Sequence, residues 1–141
     1  MTKNLIRFNH VMRDAIQSLI GTNCSADEML EAYAHVHEIG TTNIQTGGGT
    51  FFDIFAKKGR DEWEEVETLL TYFKERGIKQ TALIRGDCLF GYRPQPYDVV
   101  RATVMEYAKM GMNVLLNFHG LNDVRVLEGV ARAVKEAQDA G

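Results

Sequence analysis

The stretch Met12-Arg13-Asp14-Ala15-Ile16-Gln17-Ser18 places a cation, a carboxylate and an amide together, directly after the first candidate strand and within one short βα loop. Proteins built from alternating strands and helices keep their chemistry on such loops. A carboxylate able to hold a divalent metal, set beside a guanidinium and an amide, suits a substrate that carries both a carboxylate and a carbonyl. The competing structural reading is a helix-capping Asp with a solvated Arg, the usual fate of a lone charged pair.

The elements that must position these residues follow a repeated pattern. Candidate strands fall at residues 4–8, 42–46, 80–84 and 113–118, each followed by a helical pattern. Ser25-Ala26-Asp27-Glu28 reads as a capping box, and Met29, Tyr33 and Val36 fall at i, i+4 and i+7 to give one apolar face ending at Gly40. Asp61 opens a second helix with the face Trp63, Val66, Leu70 and Phe73, acids in its first turn, and Lys74 and Arg76 before Gly77. Pro96 suits the first turn of a third, with Val100, Val104 and Tyr107 facing inward and Gly111 at its end. Asp123 caps a fourth, which presents Leu127, Val130, Val134 and Ala137 and stops at Gly141.

The terminating glycines recur at spacings of 37, 34 and 30 residues, the length of one strand, one helix and their loops. Connections after the helices are short. Those after the strands, 9–24, 47–60, 85–95 and 119–122, are long or carry the unusual residues. Four βα units with one structural and one functional face are half of a (β/α)8 TIM barrel, whose usual size is about 250 residues. An open doubly wound sheet is the alternative, but it would want a Gly-rich phosphate turn where Arg13-Asp14 stands. Gly47-Gly48-Gly49 follows the second strand instead, and suggests close backbone approach near a site rather than a dinucleotide turn.

Composition narrows the class further. The 141 residues fit a single domain, and 45% hydrophobic with 25% charged residues is ordinary globular composition. A net charge of −3 leaves no basic stripe, which argues against nucleic acid as a partner. No apolar run approaches a membrane span, and no secretory signal precedes the first strand. Cys24 and Cys88, far apart and outside any CxxC, fit a reducing cytoplasm.

Four motifs occur in one order: Arg13-Asp14-Ala15-x-Gln17-Ser18-Leu19; Gly47-Gly48-x-Thr50-Phe51; Ile84-Arg85-Gly86 with Gly91-Tyr92-Arg93 and Asp98-Val99-Val100; and Gly111-Met112-x-Val114 with Phe118 and Leu121-Asn122-Asp123. In that order and spacing the chain resembles the N-terminal half of the biotin-dependent carboxyltransferase barrel of pyruvate carboxylase, the oxaloacetate decarboxylase alpha subunit and the transcarboxylase pyruvate-binding subunit. The wider metallolyase group, which includes hydroxymethylglutaryl-CoA lyases, shares the Arg-Asp-x-x-Gln motif and leaves an aldol-type acyl-CoA lyase or a non-catalytic assembly module as alternatives. The resemblance implies metal-dependent carboxyl transfer or decarboxylation at a 2-keto acid. Asp14 would be a ligand of a divalent ion of the Zn, Mn or Co class, with Arg13, Gln17, Gly48 and Arg85 at the substrate and biotin arriving on a separate carrier domain.

The chain departs from the family's charged residues at Asn9, Asn23, Ile44, Phe52, Leu116 and His119, and the family's other metal ligands belong to the second half barrel. His119, at the end of the fourth strand, is a possible extra ligand, and His10 a supporting residue. His35 and His37 imitate a metal-binding pair, but on a helix they diverge by about 200°. Cys88 is expected to be an inert thiol. A half barrel ending at Gly141 would leave strand edges and apolar side chains at Ile6, Phe8, Leu83, Val114 and Leu116 uncovered. Such a chain is expected to be inactive alone and to homo-oligomerise or pair with a complementary half barrel.

Overall fold

The computed structural model describes residues 7–141, and most of the first candidate strand, Ile6 included, lies outside them. Four parallel strands, β1 (Phe8–His10), β2 (Thr41–Gly47), β3 (Lys79–Ile84) and β4 (Val114–Asn117), form one sheet in sequential order. The helices are α1 (Met12–Ile20), α2 (Ala26–Tyr33), α3 (Gly49–Lys58), α4 (Glu62–Glu75), α5 (Tyr97–Met110) and α6 (Val124–Asp139). Sequential parallel order with a helix over each crossover is the arrangement expected for part of a (β/α)8 barrel. No helix among the described residues is long and apolar enough to cross a membrane.

Three expectations need correction. The first loop is not a loop, because Met12 and Ile16, one turn apart, bury the inner side of α1 and pull the Arg13-Asp14 motif into its first helical turn. The second long loop likewise contains α3. The helix opened by Ser25 stops at Tyr33 and continues to His37 as a tighter 3₁₀ turn, in which the Ala34 carbonyl accepts from the Tyr72 hydroxyl at 3.3 Å. That turn separates His35, paired with Glu38 at 2.8 Å, from His37, whose Nδ1 meets the Ala34 carbonyl at 2.9 Å.

The caps behave as their residue types dictate. Ser25 Oγ accepts from the Glu28 N–H while Glu28 accepts from the Ser25 N–H, closing the capping box. Asp61 and Asp123 each cap their helix through a side-chain oxygen. Glu65 of α4 receives the Ala26 N–H and so ties the start of α2 to α4.

Side chains alternate across β3. Gln80, Ala82 and Ile84 face the helices and are buried, whereas Thr81 and Leu83 share the opposite face with their β4 partners Val114 and Leu116. Val114 and Leu116 are 42% and 46% exposed, and Phe8 at the other edge is 56% exposed. On the helix side, Gln80 Oε1 accepts from Thr46 Oγ1 at 2.9 Å and its Nε2 donates to the Leu70 carbonyl at 2.7 Å. This paired buried amide sets the height of α4 on the sheet.

Helices α5 and α6 are clamped at the surface through Glu136. Its carboxylate accepts from Arg101 Nε at 2.6 Å, from the Tyr97 hydroxyl at 2.8 Å and from Arg132 Nε at 3.1 Å. The Arg101 and Tyr97 hydrogen bonds hold its pKa down to about 2. A depressed carboxylate pKa stabilises the fold above the ordinary value of about 4.3, and this contribution is lost as pH falls from there to about 2. In thermal unfolding scans Glu136→Gln should therefore be less stable than wild type at pH 6, with the gap closing as the pH is lowered toward 2. A gap that stays constant with pH would show that the clamp contributes nothing through its charge.

Candidate functional site

At the C-terminal ends of the strands a cleft of about 250 Å³ is lined by Arg13, Asp14 and Gln17 from α1 and by Arg85 from the turn after β3. Four of the residues singled out in the sequence thus converge from two elements far apart in the chain. Gly48 does not line the cleft but makes it possible. Its φ is +129°, and a Cβ there would stand 2.9 Å from the Leu83 carbonyl oxygen and 3.2 Å from Arg13 Cδ. Only glycine combines that backbone angle with room for the Arg13 side chain to pass.

Arg13 is not the solvated arginine of the structural reading. It is 5% exposed. Its Nη1 donates to Gln17 Oε1 at 2.9 Å and to Thr50 Oγ1 at 3.3 Å, and its Nη2 to Asp14 Oδ1 at 3.3 Å. Nε is buried without a partner among the described residues. Burial lowers its pKa, against the opposing pull of Asp14, but an arginine remains charged through such a shift. The helical spacing explains the pairing: Gln17 lies one turn beyond Arg13, on the same face of α1. Asp14 does not cap its helix, since Val11 holds the N-cap position with no side-chain bond, and its carboxylate is 56% exposed toward the cleft.

The second wall is the turn Gly86–Cys88 and the residues after it. The Arg85 N–H donates to the Leu89 carbonyl at 2.8 Å, which closes the turn. Asn117 of β4 anchors it from outside, accepting the Gly86 N–H at 3.1 Å and donating to the Leu127 carbonyl of α6 at 3.0 Å. Arg85 Nη1 donates to the Gly91 carbonyl at 3.0 Å, and the guanidinium carbon lies 4.7 Å from the Tyr92 ring centre and 5.7 Å from that of Phe118. Gly86 serves packing: a Cβ there would stand 2.6 Å from the Val126 carbonyl oxygen of α6.

Other positions named from the sequence lie elsewhere. His119 is not a cleft residue, and its Nδ1 accepts the Asp123 N–H at 3.4 Å. His10 ends β1 with its ring 5.0 Å from that of Tyr33, and also stands off the cleft. Cys88 is buried in the 3₁₀ turn, and Ile44 is fully buried in the core. The spacing of the motifs pointed neither to Thr50 as the residue that holds Arg13 nor to Asp53 as the second carboxylate lining the cleft. Thr50 directly follows the three glycines at the start of α3, a signal that only its contact with Arg13 makes legible.

Among the described residues no group of three or more His, Cys, Asp and Glu stands together as a metal cage. Asp14 and Asp53 are the two acids lining the cleft, so a hard or borderline cation could take Asp14 as one ligand with Asp53 on the same cleft, and the described residues do not complete a set of donors.

No family model matches the chain. The chain is 33% identical over 130 residues to a pyruvate carboxylase subunit from Methanocaldococcus jannaschii, covering 92% of this chain and 22% of that one. It is 32% identical over 128 residues to the methylmalonyl-CoA carboxyltransferase 5S subunit of Propionibacterium freudenreichii, covering 90% of this chain and 25% of that one. It therefore spans about a quarter or less of the length of these relatives. In structure it matches the carboxyl transferase domain of Rhizobium etli pyruvate carboxylase with 3-hydroxypyruvate, at a TM-score of 0.78 and 26% identity, over 94% of this chain and 23% of that one. The four-stranded α/β unit thus has the fold of a part of that carboxyl transferase domain.

The Thr50 hydroxyl is fully buried, donating to the Arg13 carbonyl at 3.1 Å and accepting from Arg13 Nη1. Thr50→Val keeps the shape and removes both bonds, so it should cost about 1–3 kcal/mol in urea unfolding, the scale for an uncompensated buried polar group. A loss below about 0.5 kcal/mol would show that Arg13 does not depend on Thr50.

Proposed function

We propose that this chain is the N-terminal half of the catalytic barrel of a metal- and biotin-dependent enzyme that transfers a carboxyl group to or from a 2-keto acid of the pyruvate and oxaloacetate class, or decarboxylates it. The single observation that carries this reading is the convergence of Arg13, Asp14, Gln17 and Arg85 on one cleft at the strand ends. The similarity to carboxyltransferase subunits supports it.

In this reading Arg85 binds the substrate carboxylate. It spends one donor on Gly91 and is steered by two aromatic rings, so its planar fork is pre-oriented. Arg13 and Gln17 face the carbonyl end. The near-buried Arg13 charge acts through a low local dielectric on negative charge that develops as the keto acid becomes an enolate. Asp14 would hold a divalent ion, of the Zn, Mn or Co class, that polarises the keto oxygen when bound. A carrier domain would deliver or remove the carboxyl group on biotin. Leu83, Val114 and Leu116, which share the sheet face away from the helices, would meet the opposing half of the barrel or a complementary chain. Homo-oligomers and a cytoplasmic location fit the same reading, the latter through two free cysteines.

Two substitutions in the assembled barrel test the assignment. Arg85→Lys exchanges the fork for a point charge and should lower kcat/KM for carboxyl exchange by a factor equivalent to about 1.5–3 kcal/mol. Steady-state kinetics within twofold of wild type would refute a carboxylate-binding role. Asp14→Asn should abolish metal uptake with little loss of fold, since the side chain is exposed. Equal metal content in both proteins by elemental analysis would sink the ligand assignment.

A further inference from the structure

A second pocket, of about 280 Å³, lies behind the Arg85 turn, and Leu89 and Phe90 form the wall it shares with the cleft. Its character differs from that of the cleft. Two arginines and two aspartates line the cleft, whereas this pocket is lined by Phe52, Trp63 and Phe90, by Val99, and by a single charged residue, Glu62. Phe52 and Phe90 lie 6.1 Å apart between ring centres, and Trp63 is fixed edge-on against Tyr107 at 5.1 Å. Glu62 makes no ion pair among the described residues. Burial and the neighbouring Asp61 raise its pKa, and only its own backbone N–H opposes them. A half-buried carboxylate among aromatic rings is paired with no Lys or Arg among the described residues, and aromatic rings attract cations through their quadrupoles.

We propose that the pocket bounded by Phe52, Trp63, Phe90 and Glu62 is a binding site for a small organic cation, an ammonium group carried on an apolar body. The ammonium pairs with Glu62 and the apolar body lies against the three rings. The site does not depend on the proposed carboxyl transfer, because the substrates of that reaction are anions and belong to the neighbouring cleft.

Trp63 is the sole tryptophan of the chain, so its fluorescence reports occupancy directly. The probes are 2-phenylethylamine and its neutral counterpart 2-phenylethanol, titrated into the full chain at pH 7. The amine should give a saturable change in Trp63 emission, and the alcohol should bind about tenfold or more weakly, the scale of one charge-assisted contact. Glu62→Gln should erase the preference for the amine, and Val99→Phe, a bulkier wall at an exposed position, should weaken both probes. Circular dichroism on each variant establishes that it is folded. No saturable response to the amine at millimolar concentration, equal binding of the alcohol, or an unchanged preference in Glu62→Gln would each overturn the proposal. Both probes leave the 2-keto acid kinetics out of the measurement, so its failure would not touch the carboxyltransferase reading.

Discussion

The burial of one guanidinium organises the functional end of this molecule. An isolated charge removed from water costs several kcal/mol even after the protein relaxes, so every group around Arg13 is committed to offsetting that cost. Gln17 and Asp14 supply acceptors from its own helix, and Thr50 supplies one from the start of α3. Gly48 supplies space, and its backbone also meets the Tyr107 hydroxyl, which burial keeps protonated. The first two βα units are therefore joined through one side chain. A charge fixed in this way needs no reorganisation when negative charge develops beside it, which is the property the proposed chemistry would require.

The Arg85 wall is built on a different principle. Here the cation stays partly exposed and is steered by surfaces rather than sealed, with the Gly91 carbonyl on one donor and aromatic rings beside its plane. The turn that carries it is fastened to β4 and α6 through the Asn117 amide, which spends both its acceptor and its donor on backbone groups. Gly86 lets the turn press against α6, so the position of Arg85 is set by the fourth βα unit as much as by its own. One cleft thus holds one buried and one partly exposed arginine. In the proposed reading the buried charge faces the carbonyl end of a keto acid and the partly exposed one its carboxylate.

Much of the fold was legible in the chain because it rests on local rules. The capping box at Ser25, the Asp caps at residues 61 and 123, and Gly111 after α5 are signals within a single turn, and each element began or ended where its residue types require. The parallel order of β2, β3 and β4 followed from the repeat of strand and helix. Helices α1 and α3 escaped notice because each begins in a motif rich in polar residues or glycine, and α1 starts after Val11 with no side-chain cap of the kind that marks α2, α4 and α6. The faces of Leu83, Val114 and Leu116 escaped for another reason: alternation gives two faces, and pairing between strands alone says which is inner.

By itself the sequence determined which residue types were available for chemistry and their order along the chain, since Arg13, Asp14, Gln17 and Arg85 stand out by type and by the motifs around them. It could not determine that Arg13 is buried while Asp14 is exposed, because adjacent residues on a helix point about 100° apart and only the packing of α1 on β2 decides which side is covered. Nor could it assign Thr50 to Arg13, His119 to the start of α6, or Glu62 to an aromatic pocket. Those pairings join residues through space rather than through a spacing. They exist only once four βα units have been laid side by side and the turns between them pressed together.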